Sequence, residues 1–575
     1  MTSFTPLKKY RAKVIVAPVF KLIECICELA VPFLVRAIVD ECFTIGGSHY
    51  RDLGFALGMG ALIFALAVLG FSFTMITQYL AARVSSDYGE DLKMTIYDHI
   101  GSLSPKQVED YGREKSLNLL GSDAFSLQNG IQSFMRLLVR APFLVLGCLI
   151  AGFIINWYAG LVIAGALVLC AAILFVFMKT VPTKYQALQA ELDRLAGRSG
   201  DLIRGIRVIH GFSKEEREAE RFADQADRYR RVANGIWCFS ALVNPLTFGL
   251  LNLALIGVLS LGTYAYPTTG LSVGSIVALT SLLTQALNAL LQFSHLASNL
   301  SKAIASKRRI DGFLSLPITI ADGSLEQEPE IGVGEELFRL DHVSVSFGGA
   351  SPVLKDLNLS IAKGERIGII GGTGSGKSTF LALLGRYLDP SEGHVYFKGH
   401  PLPESRLSLL RGNLGSVSQN GGLFQSSIRS NLTLGMDFSD QEVEMALKQA
   451  EAYDFVSRYP EGVDYQLTEM GSNLSGGQRQ RLLIARNLLH HREICLYDDA
   501  TSALDYKTEA KVRQAIFADD QATILFVSQR VTSVMGCDRI LVFDDGRIVG
   551  VGTHEELLAE CDVYRETYQA QVKQR

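Results

Sequence analysis

Eight consecutive residues, Gly371-Gly372-Thr373-Gly374-Ser375-Gly376-Lys377-Ser378, have the types and spacing of a phosphate cradle, G-x-x-x-x-G-K-[ST]. Glycines let backbone N–H groups crowd round an anion with no Cβ in the way. Lys377 offers a mobile cation for the β- and γ-phosphates of a nucleotide, and Ser378 a hydroxyl for Mg²⁺. Other chemistry-bearing residues follow in order. Gln419 closes the run Ser416-Val417-Ser418, where a neutral amide can reach a metal ion or a water. Leu474-Ser475-Gly476-Gly477-Gln478 opens a helix, offering a hydroxyl and free N–H groups to an anion. Ile494-Cys495-Leu496-Tyr497-Asp498-Asp499 is an apolar strand ending in two carboxylates, suited to holding Mg²⁺ at its tip. A further strand, Thr523 to Val527, leads into Ser528-Gln529-Arg530. Phe347, 30 residues before Lys377, could stack on a base.

The elements that must position these groups are legible as strand–loop–helix units. Arg366 to Ile370 reads as a buried strand and Thr379 to Gly385 as the first turns of a helix whose N-terminal dipole favours an anion. From Leu337 onward short β-rich runs alternate with helical ones, so residues 337–575 are expected to form an α/β domain. Residues 314–336 are acidic, contain Pro and Gly and lack apolar periodicity, which marks a linker.

The first 313 residues are different. Hydrophobic residues make up 48% of the 575-residue chain, mean hydropathy is +0.20, and the apolar residues are concentrated in this first part. Six stretches, near 14–40, 54–81, 133–156, 158–179, 241–264 and 273–300, can each span a bilayer. A tight turn at Asn156-Trp157 joins the third and fourth, and Trp157, Tyr158, Tyr264 and Tyr266 are interfacial aromatics. Lys8, Lys9, Arg11 and Lys13 precede the first span, and the excursions 83–132 and 180–240 are rich in Lys and Arg, whereas the loops 43–52 and 265–272 are short and almost without bases. The positive-inside rule then places the N-terminus, both excursions and the C-terminal domain in the cytoplasm. Each excursion is expected to continue its helices and reverse through a short connector, at Glu114 to Asp123 and at Arg207 to Glu216. A net charge of −4 and a pI of about 6.2 do not suggest a nucleic-acid binder, which would usually carry a basic face. Nine scattered cysteines with no CxxC pair give no metal or disulfide framework.

Phosphate loop, Gln loop, LSGGQ and Asp-ended strand, in this order behind six spans, resemble a half-transporter of the ABC exporter superfamily. The resemblance covers nearly the whole chain. It implies a fold of six long transmembrane helices followed by a P-loop NTPase cassette, with ATP and Mg²⁺ bound by Phe347, Gly371 to Thr379, Gln419 and Asp498. Within that set Ser378, Gln419 and Asp498 hold the metal. It also implies a second half-transporter as partner, an integral position in a bacterial inner membrane, and ATP held between one cassette's phosphate loop and the other's Ser475, Gly476, Gly477 and Gln478. Arg204 to Phe212 with Glu215 and Glu216 resembles the second intracellular loop of such exporters. Two positions depart from the family. Asp499 stands where a Glu normally polarises the attacking water, and Gln529 where a His normally contacts the γ-phosphate. Asp is one methylene shorter, and Gln carries neither a proton to exchange nor a charge. The expectation is the degenerate member of a heterodimeric, multidrug-type exporter, whose intact signature completes the partner's competent site. A lipid flippase, a slow homodimer and an ATP-gated regulatory or channel-like protein are the alternatives.

For the transported substrate, an amphiphilic small molecule, the sixth span offers Gln285, Asn288, Gln292, His295 and Asn299 on one helical face. Polar groups facing lipid are costly, so this face is expected to meet a cavity or another helix. The first span carries Lys21, Glu24 and Glu28 on one face; Lys21 and Glu24 could pair internally, and acidic groups in the cavity would suit cationic amphiphiles. The expected cavity residues are Glu24, Glu28, Gln285, Asn288 and Gln292.

Overall fold

The computed structural model describes residues 2–42, 53–264, 271–327, 329–348, 351–419 and 421–572. Residues 43–52 and 265–270, which carry the first expected outer loop, most of the second and Tyr266, lie outside the described residues. The chain forms two compact units, one of residues 1–101 and 112–316, the other of residues 102–111 and 317–575.

The first unit is helical. Helices Leu53–Ser102, Trp157–Arg204 and Val273–Leu314 have 50, 48 and 42 residues. At 1.5 Å per residue these are roughly 60–75 Å long, about twice a ~30 Å hydrocarbon core, so each continues well beyond a membrane. The expected spans are thus the apolar parts of longer rods. Five helical runs among the described residues are long and apolar enough to cross a membrane: Gly54–Ser102, Arg113–Ile155, Trp157–Arg204, Glu215–Leu261 and Val273–Leu314. The first helix, Arg11–Cys42, is less apolar because it carries Lys21, Glu24, Glu28, Arg36 and Asp40, and it packs against Val273–Leu314. Val273–Leu314 also packs against Ala124–Leu137 and Arg140–Ile155. The approach is close enough that a Cβ on Gly130 would lie 2.2 Å from the Ala303 methyl, the small-on-small contact that lets helices meet in lipid. The turn at Asn156 is capped by its own side chain, whose Oδ1 accepts from the N–H groups of Tyr158 (3.0 Å) and Ala159 (3.2 Å).

The expected first connector is corrected. Glu114 to Asp123 is helical, as Arg113–Asn118 followed by a π-helical turn Leu119–Asp123, and the chain reverses upstream at the short helix Pro105–Tyr111. Ser104 and Gln107 cap that helix reciprocally, with the Gln107 N–H on Ser104 Oγ at 3.2 Å and the Ser104 N–H on Gln107 Oε1 at 3.1 Å. Gly112, at φ 98°, supplies the left-handed residue that lets the chain turn back. The second connector is the helix Ile206–Gly211, which starts one residue before the expected Arg207 to Glu216, and Glu215 and Glu216 already begin helix Glu215–Ala241.

The second unit holds two sheets. Strands β1 (Glu336–Val345), β2 (Leu354–Ala362), β4 (Glu392–Phe397) and β5 (His400–Pro401) form an antiparallel sheet in the order β2-β1-β4-β5. Strands β3 (Arg366–Gly371), β6 (Leu414–Val417), β7 (Ile494–Asp498), β8 (Thr523–Val527), β9 (Arg539–Asp544) and β10 (Arg547–Gly552) form the order β10-β9-β3-β8-β7-β6. All its pairings are parallel except β9 with β10. Parallel strands are covered on both faces and so read as unbroken apolar runs, as in Ile494-Cys495-Leu496-Tyr497 and Thr523 to Val527, all buried.

Candidate nucleotide site and membrane pocket

In an open parallel sheet, ligands gather at the carboxyl ends of the strands. That edge is where the singled-out residues converge. The phosphate loop leaves the end of β3, Asp498 ends β7, and Gln529 follows β8, its neighbour in the sheet. Gly374 and Gly376 sit at φ 83° and 100°, conformations an L side chain resists, which is why the loop spends glycines there. Helix Lys377–Leu384 starts at once after Gly376, so its first N–H groups face the loop. Lys377 is buried and folded onto the loop, its Nζ donating to the carbonyls of Gly371 (2.8 Å) and Gly372 (2.6 Å). Burial holds its pKa below the usual lysine value, against the pull of Asp498 and Asp499. Burial likewise raises Asp498, opposed by a hydrogen bond from Ser378 and by the Lys377 charge. Ser378 and Asp498 are thus neighbours at the loop, and a hydroxyl and a carboxylate so placed fit a Mg²⁺ ion.

Asp499 is also buried, in left-handed backbone at φ 50°. Its Oδ2 accepts from two amides, Gln419 Nε2 at 3.3 Å and Gln529 Nε2 at 3.1 Å. Burial first, and the Asp498 charge second, raise its pKa, while the Gln529 hydrogen bond lowers it. The structure therefore brings together Lys377, Ser378, Gln419, Asp498, Asp499 and Gln529. Ser475 and Gly476 are exposed at the start of another helix, Gly476–His490. Ser475 caps that helix, and Gln478 is engaged in the same capping box, accepting the Ser475 N–H at 2.9 Å. Phe347 is exposed and carries Lys106 Nζ over its ring at 5.2 Å, beside a pocket of about 500 Å³ lined by Lys106, Gln107, Phe347 and Tyr387. The sequence reading missed Lys106, although Ser104-Pro105-Lys106-Gln107 has the signature of a capped helix start.

In the first unit a pocket of about 310 Å³ is lined by Glu28, Arg140, Gln285, Asn288, Gln292 and His295. Asn299, on the same helical face, instead donates to Ser133 Oγ at 3.2 Å on a neighbouring helix. Glu24 does not line this pocket: it is buried and paired with Lys21 at 2.7 Å. Glu28 is neutralised by Arg140 Nη2 at 3.1 Å, and Arg140 Nη1 reaches Gln292 Oε1 at 3.1 Å. The expected acidic character is therefore overturned, because two carboxylates meet two cations. Arg140 was missed; a lone arginine opening an apolar run at membrane depth was the signal.

Comparison with known proteins agrees with this architecture. The model of the ABC transporter transmembrane region matches residues 14–290 and the ABC transporter model matches residues 354–502. An uncharacterized ABC transporter ATP-binding protein of Mycobacterium tuberculosis is 30% identical over 570 residues, covering 97% of this chain and 96% of the relative. The chain belongs to the ABC transporter family. An ATP-dependent lipid A-core flippase of Yersinia pestis is 27% identical, covering 99% of this chain and 97% of that protein. The solved structure of a bacterial Atm1-family ABC exporter with ATP bound superposes with a TM-score of 0.78 at 27% identity, covering 98% of both chains. The chain is therefore an integral-membrane ABC half-transporter of exporter fold, with a helical membrane domain fused to an ATP-binding cassette that couples ATP hydrolysis to transport.

Proposed function

We propose that this chain is one subunit of a heterodimeric exporter that moves amphiphilic small molecules out of the cell, and that its own ATP site is the slow one. Asp499 carries the argument. Its carboxylate is short, buried and shared between the amides of Gln419 and Gln529. A carboxylate so engaged is a poor acceptor for a water proton, and neither amide can take up a proton or carry a positive charge. The binding groups, by contrast, are intact: Gly371 to Thr379, with Lys377 for the phosphates and Phe347 for the base. Mg²⁺ would be held by Ser378, Gln419 and Asp498 and would neutralise phosphate charge. Ser475, Gly476, Gly477 and Gln478 then complete a competent site on the partner. The domain division is residues 1–313, linker 314–336 and cassette 337–575. The membrane is the bacterial inner membrane, with both termini cytoplasmic. Glu28, Gln285, Asn288 and Gln292 line part of the substrate path. ATP drives the change of access because it binds the closed state better.

The test is asymmetry in the purified pair. Ser475→Ala is expected to depress turnover strongly, whereas Lys377→Ala weakens nucleotide retention on this chain and affects turnover only indirectly. Full activity from this chain alone, or equal hydrolysis at both sites, rules the reading out. A lipid substrate is the second reading, favoured by the similarity to the lipid A-core flippase of Yersinia pestis.

A further inference from the structure

The last described helix of the chain reaches the backbone at Gln529. Gln529, Arg530 and Val531 are consecutive, and each is held by a partner distant in sequence. Gln571, in helix Asp562–Val572, donates Nε2 to the carbonyl oxygen of Gln529 at 2.7 Å and accepts the Val531 N–H on Oε1 at 2.9 Å. Between them, Arg530 gives Nη1 to Glu509 Oε2 at 3.1 Å, and buried Glu509 also takes Arg513 Nη1 at 3.2 Å and the Ser533 hydroxyl. The helix that presents Gln571 is itself anchored. Tyr564 is fully buried with its hydroxyl 2.8 Å from His554 Nδ1, and Arg565 donates to the carbonyls of Leu558 and Ala559, both at 2.7 Å. A primary amide is required at 571, since it offers a donor and an acceptor in one fork. Glu lacks the donor and Lys the acceptor.

We propose that Gln571 is a positioning residue of the ATP site. Its single side-chain amide bridges the two peptide groups that flank Arg530 and so fixes where the Gln529 amide stands against Asp499, 3.1 Å away. It acts through Gln529, and the C-terminal helix becomes part of the machinery that holds nucleotide in this cassette. The inference rests on the ATP-site reading above, and one experiment separates the two.

Full-length protein in lipid nanodiscs, with its partner where one is needed, is photolabelled with azido-ATP. Affinity and retention after dilution are measured for the unaltered chain, Gln571→Ala, Gln571→Glu and Lys377→Ala, together with amide hydrogen exchange across the cassette. Loss of one or two ordinary hydrogen bonds should shorten retention roughly 3- to 10-fold, weaken affinity in step, and speed exchange at Val531 at least as much while the sheet strands keep theirs. A destabilised fold would instead speed exchange throughout the cassette. Unchanged retention and unchanged Val531 exchange in folded Gln571→Ala, with retention weakened in Lys377→Ala, overturns the proposal alone. Affinity and retention that Lys377→Ala leaves unchanged overturn the site reading. If both Gln571 variants fail to fold, exchange in the unaltered protein decides: a Val531 amide as fast as an exposed loop overturns the bridge.

Discussion

Asp499→Glu combined with Gln529→His is the sharpest perturbation of the ATP site. In the native chain Asp499 Oδ2 is 3.3 Å from the Gln419 amide and 3.1 Å from the Gln529 amide, so it is held between them at the mouth of β7 and β8. One methylene moves the carboxylate outward by roughly 1 Å, and a misplacement of that size costs ~100-fold in rate, or about 2.7 kcal/mol of barrier. The histidine removes one of the two amides that compete for the carboxylate and places an imidazole beside the expected γ-phosphate, where acid–base work is worth about another factor of 10². The double variant should therefore raise hydrolysis at this phosphate loop by up to roughly 10⁴-fold, and Asp499→Glu alone by at most about 10²-fold, since Gln529 still holds one oxygen. The assay is trapped-nucleotide analysis of the purified pair, scoring ADP against ATP bound to this chain. A double variant that still holds only ATP, while nucleotide affinity is unchanged, would refute the account of why this site is slow.

Three further outcomes are expected. Arg140→Gln leaves Glu28 without its cation at membrane depth; because a third of the Glu28 side chain is open, the cost should be about 1–3 kcal/mol rather than the 3–5 of a fully buried pair. Glu28→Gln with Arg140→Gln should recover most of it, which thermal melts in detergent can read. Cysteines at Asn288 and Gln292 should label with a polar thiol reagent in at least one nucleotide state, and Leu at both should change substrate preference while basal ATPase persists; silence in every state would make them packing residues. A reporter fused near Gly47 or Thr268 should read outside and one near Lys115 or Glu215 inside, and an exterior reading at Glu215 would break the six-span topology.

Local chemistry was legible in the sequence wherever a function needs contiguous residues. A phosphate loop must put glycines, a lysine and a hydroxyl on one strand–helix turn, so Gly371 to Ser378 could be read directly, and the same holds for Ser475 to Gln478 at a helix start and for the carboxylates that end β7. Long apolar runs marked the membrane helices because hydrocarbon admits little else. Partnerships across the fold were not legible. Arg140 lies 112 residues from Glu28 and Gln571 lies 40 residues from Val531, so only packing could show that one cation cancels the cavity's acid and that one amide bridges the peptide groups beside Arg530. Glu24 looked like a cavity residue because helical periodicity gives a face, not what covers it. The first connector was misplaced because helix-compatible residues continue through Glu114 to Asp123, while the reversal depends on Gly112 at positive φ and on the mutual capping of Ser104 and Gln107. Sequence periodicity determines which residues share an element; which elements meet, and which charges are thereby cancelled, is decided by tertiary packing, where long-range burial makes an unpaired group costly.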